Sequence, residues 1–155
     1  MPDRWLGISV VSDKVTIVDV HVPDSGPLVL QMDATWDLQA GDRPTAYAVM
    51  HDRIENYMAE NGMKRAAIKA SALSMGSTKM AHLESCELRG VVMSAARRVA
   101  PVECIQKAHM SRTFGKRKVD EYVKDNAFWS NEINGKLRLG SREAAMVLLA
   151  ARKNK

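Results

Sequence analysis

The sequence has few of the residues that define several large classes of protein. Among its 155 residues are 2 cysteines, 5 prolines and 9 glycines. Two cysteines make no disulfide framework, and the proline and glycine content excludes collagen-like and proline-rich chains. No apolar run approaches the roughly 18 residues of a membrane span, and the first residues lack the layout of a secretory signal. These absences favour a single cytoplasmic domain over residues 1–155 that does not contact membranes.

Positive charge is concentrated in the middle of the chain. The formal net charge is +5, from 23 Lys and Arg against 18 Asp and Glu. Residues 1–62 are net negative, whereas residues 63–118 hold twelve basic and three acidic residues. A basic block binds phosphates through long-range electrostatic attraction and through the release of counterions. It predicts a nucleic-acid partner, DNA or RNA, or another polyanion. The alternative is a solvated face that keeps the chain soluble.

The hydrophobic pattern predicts an α/β domain. The predicted strands cover 4–11, 15–22, 28–32 with an extension toward 36, 66–71 and 101–105. The predicted helices begin at the capping residue Asp42, cover 80–99, run from Ser111 or Thr113 to 124, and begin again at Ser141. Residues 126–140 are polar and predicted to be irregular. Short turns join the first three strands into an antiparallel meander, and the later strands follow helical crossovers. We therefore expect one mixed sheet, three antiparallel strands and then two parallel ones, with helices on both faces.

Several short motifs resemble RuvC-type Holliday junction resolvases. The family's central strand, loop and long helix are similar to the stretch from Ala66-Ala67-Ile68-Lys69 to Ala100-Pro101-Val102, which contains Leu88-Arg89-Gly90-Val91. Leu6-Gly7-Ile8-Ser9 resembles the family's first strand, His109 to Lys118 its basic stretch, and Ala144-Ala145-Met146 its last helix. The resemblance implies a ribonuclease H-like fold, Mg²⁺-dependent cleavage of nucleic acid, and a homodimer through the 80–99 helix.

The acids on which that family depends are absent at the matching positions. The resemblance implies two divalent cations held by about four carboxylates. The matching positions hold Ser9, Lys69, Ser141 and Ala144. A hydroxyl, an ammonium and a methyl group do not supply the hard oxygen ligands that Mg²⁺ requires. The acids that could substitute are Asp13, Glu84 and Glu143. We therefore predict no metal and no other cofactor, with Mg²⁺ needed only by a divergent nuclease.

The basic block supplies the residues that we expect to contact phosphates. They are Lys69, Lys79, Arg112, Lys116, Arg117 and Lys118, with Arg97 and Arg98 as weaker candidates. Phe114 and Trp129 flank the block and could stack on bases. The favoured function is a non-catalytic RuvC-like domain that binds nucleic acid through this basic face. The alternatives are a metal-dependent nuclease with relocated acids and a protein-interaction domain whose basic face meets an acidic partner.

Two further motifs are weaker signals. Gly76-Ser77-Thr78-Lys79 lacks the residue order of a phosphate loop, so we interpret it as a helix start capped by Ser77 or Thr78. His82 and Cys86 have metal-ligand spacing on one helix face. Because only Cys104 and His109 remain as further ligands, zinc is disfavoured.

Overall fold

A computed structural model describes residues 2–73 and 75–154, which form one central sheet with helices on both faces. The strands are β1 (Asp3–Val11), β2 (Lys14–Val22), β3 (Leu28–Asp37), β4 (Arg65–Lys69), β5 (Val102–Ile105) and β6 (Ile133–Asn134). The helices are α1 (Arg43–Glu60), α2 (Met80–Arg97), α3 (Lys107–Phe114), α4 (Val119–Val123), α5 (Asn126–Glu132) and α6 (Arg142–Lys153). No helix of the described ranges is long and apolar enough to cross a membrane.

The six strands are arranged in the order β5-β4-β1-β2-β3-β6. β1, β2 and β3 pair antiparallel, as the short turns predict, while β4 pairs parallel to β1 and β5 parallel to β4. The predicted mixed sheet is therefore confirmed. Because β1, β4 and β5 run in the same direction, all three end at one edge of the sheet, which we call the carboxyl edge.

Alternating side chains divide the interior into two cores. One face of the sheet packs against α1 and α2, and the other packs mainly against α6, with α3, α4 and α5 around it. β1 passes very close to α6 at Gly7, where an added Cβ would lie 2.2 Å from the carbonyl oxygen of Ala144. Only glycine permits this approach, which fixes Ala144, at the start of α6, against the middle of β1.

The capping residue predicted from the sequence is correct for α1 and wrong for α2. Asp42 caps α1 as predicted, and its carboxylate accepts a hydrogen bond from the Thr45 N–H at 3.0 Å. The prediction that Ser77 or Thr78 is the capping residue of α2 is wrong, since the capping position is Lys79, whose side chain makes no capping hydrogen bond.

Two predictions for the last third of the chain also need correction. The single helix expected from 111 or 113 to 124 is two helices, because Gly115 has a φ of 134° and breaks the segment before α4. The irregular stretch over 126–140 contains α5, which Asp125 caps, and β6, which pairs parallel with the start of β3. Among the strands, β3 extends to Asp37, and β4 ends at Lys69 rather than at 71.

Candidate functional site

The carboxyl edge carries a row of polar side chains on the face that packs against α6. Ser9 on β1 pairs with Thr16 on β2, and Thr16 pairs with Thr35 on β3. The Thr16 and Thr35 hydroxyls are 3.1 Å apart and hydrogen-bonded. On the other side of Ser9, the register that pairs Ile8 with Ile68 places Lys69 next along β4. Ser9, Thr16 and Thr35, which we call the hydroxyl row, thus continue into a lysine.

Lys69 is held by an acid from α6. Its ammonium Nζ donates to the Glu143 carboxylate Oε2 over 2.9 Å, joining the end of β4 to the first turn of α6. The two side chains are 22% and 24% exposed, so the pair lies at the surface of the edge. Glu143, proposed from the sequence as a substitute metal ligand, is therefore engaged by a cation.

A second ion pair, between Asp33 and Arg138, lies at the other end of the hydroxyl row. Asp33 on β3 accepts hydrogen bonds from the Arg138 backbone N–H and guanidinium and from the Ser141 hydroxyl. Arg138 also donates to the Thr35 hydroxyl over 3.0 Å. Burial alone would raise the pKa of Asp33, but the hydrogen bonds from Arg138 and Ser141 lower it below its ordinary value. Ser141, at a position matching a family acid, thus serves to hold another acid.

The other two substitute acids lie elsewhere. Asp13, in the turn between β1 and β2, and Glu84 on α2 both pair with Arg43 on α1, at 3.1 Å and 2.7 Å. α1 and α2 cover the sheet face opposite α6. The structure therefore brings Asp13 together with Glu84 on the face away from Glu143, and Ala144, a residue of α6, is buried in the core.

The donor set at the carboxyl edge does not fit a divalent cation. Hydroxyls, an ammonium and a guanidinium line it, and its two carboxylates are already neutralised. Within residues 2–73 and 75–154, the one group of three or more potential ligands close enough to share a metal ion is His51, Asp52 and Glu55 on α1. Glu55 also pairs with Arg98 at 3.0 Å. The chemistry of the edge suits an anion better than a metal.

Arg89 is a buried cation beside the same edge. It is 8% exposed, and its guanidinium donates to the Val10 carbonyl and to the Ser71 hydroxyl, each over 2.6 Å. Its Nε has no hydrogen-bond partner in the described part of the chain. Arg89 therefore ties α2 to the end of β1 and to the loop that follows β4.

The predicted phosphate contacts fall in three places. Lys69 lies at the first turn of α6, and Lys79 lies at the start of α2, on the opposite sheet face. The remaining four belong to α3 and to the connection into α4, and are Arg112, Lys116, Arg117 and Lys118. Thr113 near them contacts Lys153 in the last turn of α6. Arg117 pairs with Asp125 at 2.9 Å, while Arg97 and Arg98 are exposed at the far end of α2.

The aromatic residues considered for base stacking belong to the packing of α3 to α5. Trp129 is buried, and its indole N–H donates to the Tyr122 carbonyl over 2.9 Å. Phe114 is half-buried and packs edge-on against Tyr122 and Phe128. Their role here is to hold the short helices against α6.

Known proteins with solved structures are similar to this chain in fold. No protein-family model matches the chain, and no curated protein matches its sequence. Thermus thermophilus RuvC superposes with a TM-score of 0.72 at 13% identity, over 97% of this chain and 96% of RuvC. The same protein in complex with a Holliday junction substrate gives equal values. Ydc2, the yeast mitochondrial Holliday junction resolvase, superposes at 0.64 and 11% identity, over 96% of this chain and 78% of Ydc2.

The chain has a RuvC-like fold. This finding confirms the ribonuclease H-like architecture that the short motifs imply. Three residues of the RuvC-like carboxyl edge were not assigned from the sequence, namely Asp33, Arg138 and Arg89. Arg138 lies in the segment predicted to be irregular, and Asp33 lies beyond the predicted core of the third strand. The alternation that makes Thr35 and Asp33 face one side was the signal that could have found Asp33.

Proposed function

We propose that this RuvC-like domain binds nucleic acid and does not cleave it. The observation that carries the proposal is Lys69, a cation at the centre of the carboxyl edge that is paired with Glu143 at 2.9 Å. Phosphodiester cleavage by two metals needs a group of free carboxylates at one point. Here the acids that could provide it are divided between two sheet faces and paired with cations. We also propose that the whole chain is one domain. This domain acts without Mg²⁺ or another cofactor.

Phosphate contact is the mode of binding that we propose. Lys69, Lys79, Arg112, Lys116, Arg117 and Lys118 are the candidate contacts. Contacts to the backbone carry no sequence information by themselves, so we expect weak sequence selectivity and strong salt dependence. Branched DNA is the first ligand to test, since a structurally similar RuvC has been solved with a Holliday junction substrate.

Fluorescence anisotropy tests this function. The wild-type chain is titrated into a four-way DNA junction, duplex DNA, single-stranded DNA and a structured RNA, from low to near-physiological salt, with Mg²⁺ and with EDTA. Each sample is then run on a denaturing gel. We expect affinity that falls steeply with salt, is the same with EDTA, and leaves every strand intact.

Two other results would each favour an alternative. Strands cut only in Mg²⁺ would identify a divergent nuclease. No binding at the lowest salt would favour the protein-interaction domain, whose basic face meets an acidic protein.

We also propose that two copies associate through α2 and that the protein acts in the cytoplasm. Met80 and Leu83 on α2 are 66% and 49% exposed, which supports an apolar contact. Both cysteines are free thiols, as expected in a reducing compartment. Light scattering on the wild type and on Leu83→Glu tests the dimer, which the substitution should dissociate. A monomeric wild type would exclude it.

A further inference from the structure

We propose that Glu143 competes internally with phosphate for Lys69, so that the carboxyl edge takes a backbone phosphate, without metal, when this ion pair opens. The inference rests on the proposed function and adds the ligand's point of attachment and the group it must displace.

The two carboxylates are held very differently. Asp33 is 6% exposed and accepts from the Arg138 backbone, the Arg138 guanidinium and the Ser141 hydroxyl. Glu143 is 24% exposed and, within the described ranges, accepts from Lys69 and from no other donor. Opening the Lys69–Glu143 pair breaks one hydrogen bond, whereas freeing Asp33 would break several. The Lys69–Glu143 pair is therefore the one that can open at small cost, while the pair of Asp33 and Arg138 stays closed.

The backbone beneath the pair is fixed. α6 meets β1 at Gly7, with no room for a Cβ, and Lys69 ends a strand that pairs on both sides. Opening the pair therefore needs only side-chain rotation of Glu143, with the lysine left in place. The Glu143 carboxylate can therefore leave Lys69 without any rearrangement of the backbone at this site.

The groups that remain would suit a phosphate. Ser9 lies on the strand next to Lys69 and Thr16 on the strand beyond it, and hydroxyls donate to phosphate oxygens. Glu143 lies in the first turn of α6, where the helix dipole favours a negative charge. A phosphate that displaces Glu143 would keep an anion near that turn and give Lys69 a new partner.

The test compares single charge removals under metal-free conditions. Glu143→Gln removes the charge and keeps an acceptor, and Glu143→Ala is a second variant in case the first one folds poorly. Glu60→Gln is the control, because it makes the same change at the end of α1, near the opposite edge of the sheet, where the Lys64 N–H donates to the Arg4 carbonyl. Anisotropy with single-stranded and four-way DNA in EDTA gives the affinities, and thermal unfolding confirms the fold.

We expect Glu143→Gln to bind about threefold to tenfold tighter than wild type, with a salt slope steeper by about 0.7 to 0.9, as one added phosphate contact predicts. Glu60→Gln should change affinity by less than about twofold. Adding Lys69→Met to Glu143→Gln should remove the gain. Equal affinities for Glu143→Gln and Glu60→Gln, or a gain that survives Lys69→Met, would overturn this inference alone. Absence of binding by every variant at low salt would instead overturn the proposed function.

Discussion

Lys69 determines the sign of the charge at the centre of the carboxyl edge. Its neighbours across the sheet, Ser9 and Thr16, are neutral, and its partner Glu143 is neutralised by it. The ammonium of Lys69 therefore makes the centre of this edge more favourable for an anion than for a metal ion.

We predict that Lys69→Glu does not create a Mg²⁺ site. Ser9 and Ala144 would still lack carboxylates, and the new acid would face Glu143 as a like charge. Isothermal titration calorimetry should show no Mg²⁺ binding, and the melting temperature should fall. Mg²⁺ binding by this single variant, with a rise in melting temperature, would contradict the prediction.

Asp33 makes the stability of the folded protein depend on pH. Its pKa is lowered in the folded protein, because the hydrogen bonds from Arg138 and Ser141 outweigh the effect of burial. A lowered pKa contributes stability above the unfolded value of about 3.9, and that stability is lost as the pH falls through the folded value.

We therefore expect the wild-type melting temperature to begin to drop near about pH 5 and to go on dropping below about pH 3.9. Asp33→Asn should melt lower at neutral pH and show a shallower drop. Asp24→Asn, in the exposed turn between β2 and β3, is the control and should keep the wild-type slope. An unchanged slope in Asp33→Asn would show that this carboxylate is not responsible.

At the scale of elements, the contact between β1 and α6 positions the whole site. Ser141 and Glu143 begin α6, and both reach the sheet only because Gly7 lets the helix backbone come close. The Ala144 carbonyl and the Leu148 side chain occupy the space where a Cβ would lie. A methyl group at this point would push the helix away from the edge.

We predict that Gly7→Ala destabilises the protein by about 2 kcal/mol, the usual cost of overpacking a closed core. Gly90→Ala is the matched control, because Gly90 lies in α2 with nothing within 4 Å of an added Cβ. In a helix that change should stabilise by about 0.5 to 1 kcal/mol. Urea unfolding measures both, and equal effects of the two substitutions would contradict the role given to Gly7.

At the scale of the whole molecule, positive charge is spread over both faces of the sheet rather than along one strip. Lys79 lies on the α2 side, and Lys116 to Lys118 lie on the side of α3 and α4. A ligand that touched all of them would have to pass around an edge of the sheet. The contribution of each sheet face to the binding affinity can therefore be measured separately.

We predict that replacing Lys116, Arg117 and Lys118 together by Gln weakens binding of every nucleic acid by about tenfold or more. The salt slope should fall by about 2 to 3, one for each lost phosphate contact, with Arg117 contributing least because Asp125 already holds it. Lys79→Gln, measured in parallel, reports the other face. A change confined to one nucleic-acid sequence would contradict phosphate contact as the mode.

Local patterns were sufficient for most of the fold. Alternation along β1 and β2 and the cap at Asp42 are short-range signals, and each produced the predicted element. β6 was missed because a two-residue strand has no pattern of its own and exists only through its pairing with Leu28 and Val29. The break between α3 and α4 depends on the positive φ of Gly115, which the helical spacing around it concealed.

The sequence by itself determined the order of the elements from β1 to β5, their apolar faces and the excess of positive charge in the middle of the chain. Only the tertiary structure decided which charges neutralise each other. Lys69 and Glu143 are 74 residues apart, and Asp33 and Arg138 are 105 apart. The sequence gives each side chain its sign, but a charge takes whichever partner the folded backbone brings within a few ångströms. At the carboxyl edge, that choice left a hydroxyl row between two ion pairs, of which the one between Lys69 and Glu143 is held by a single hydrogen bond.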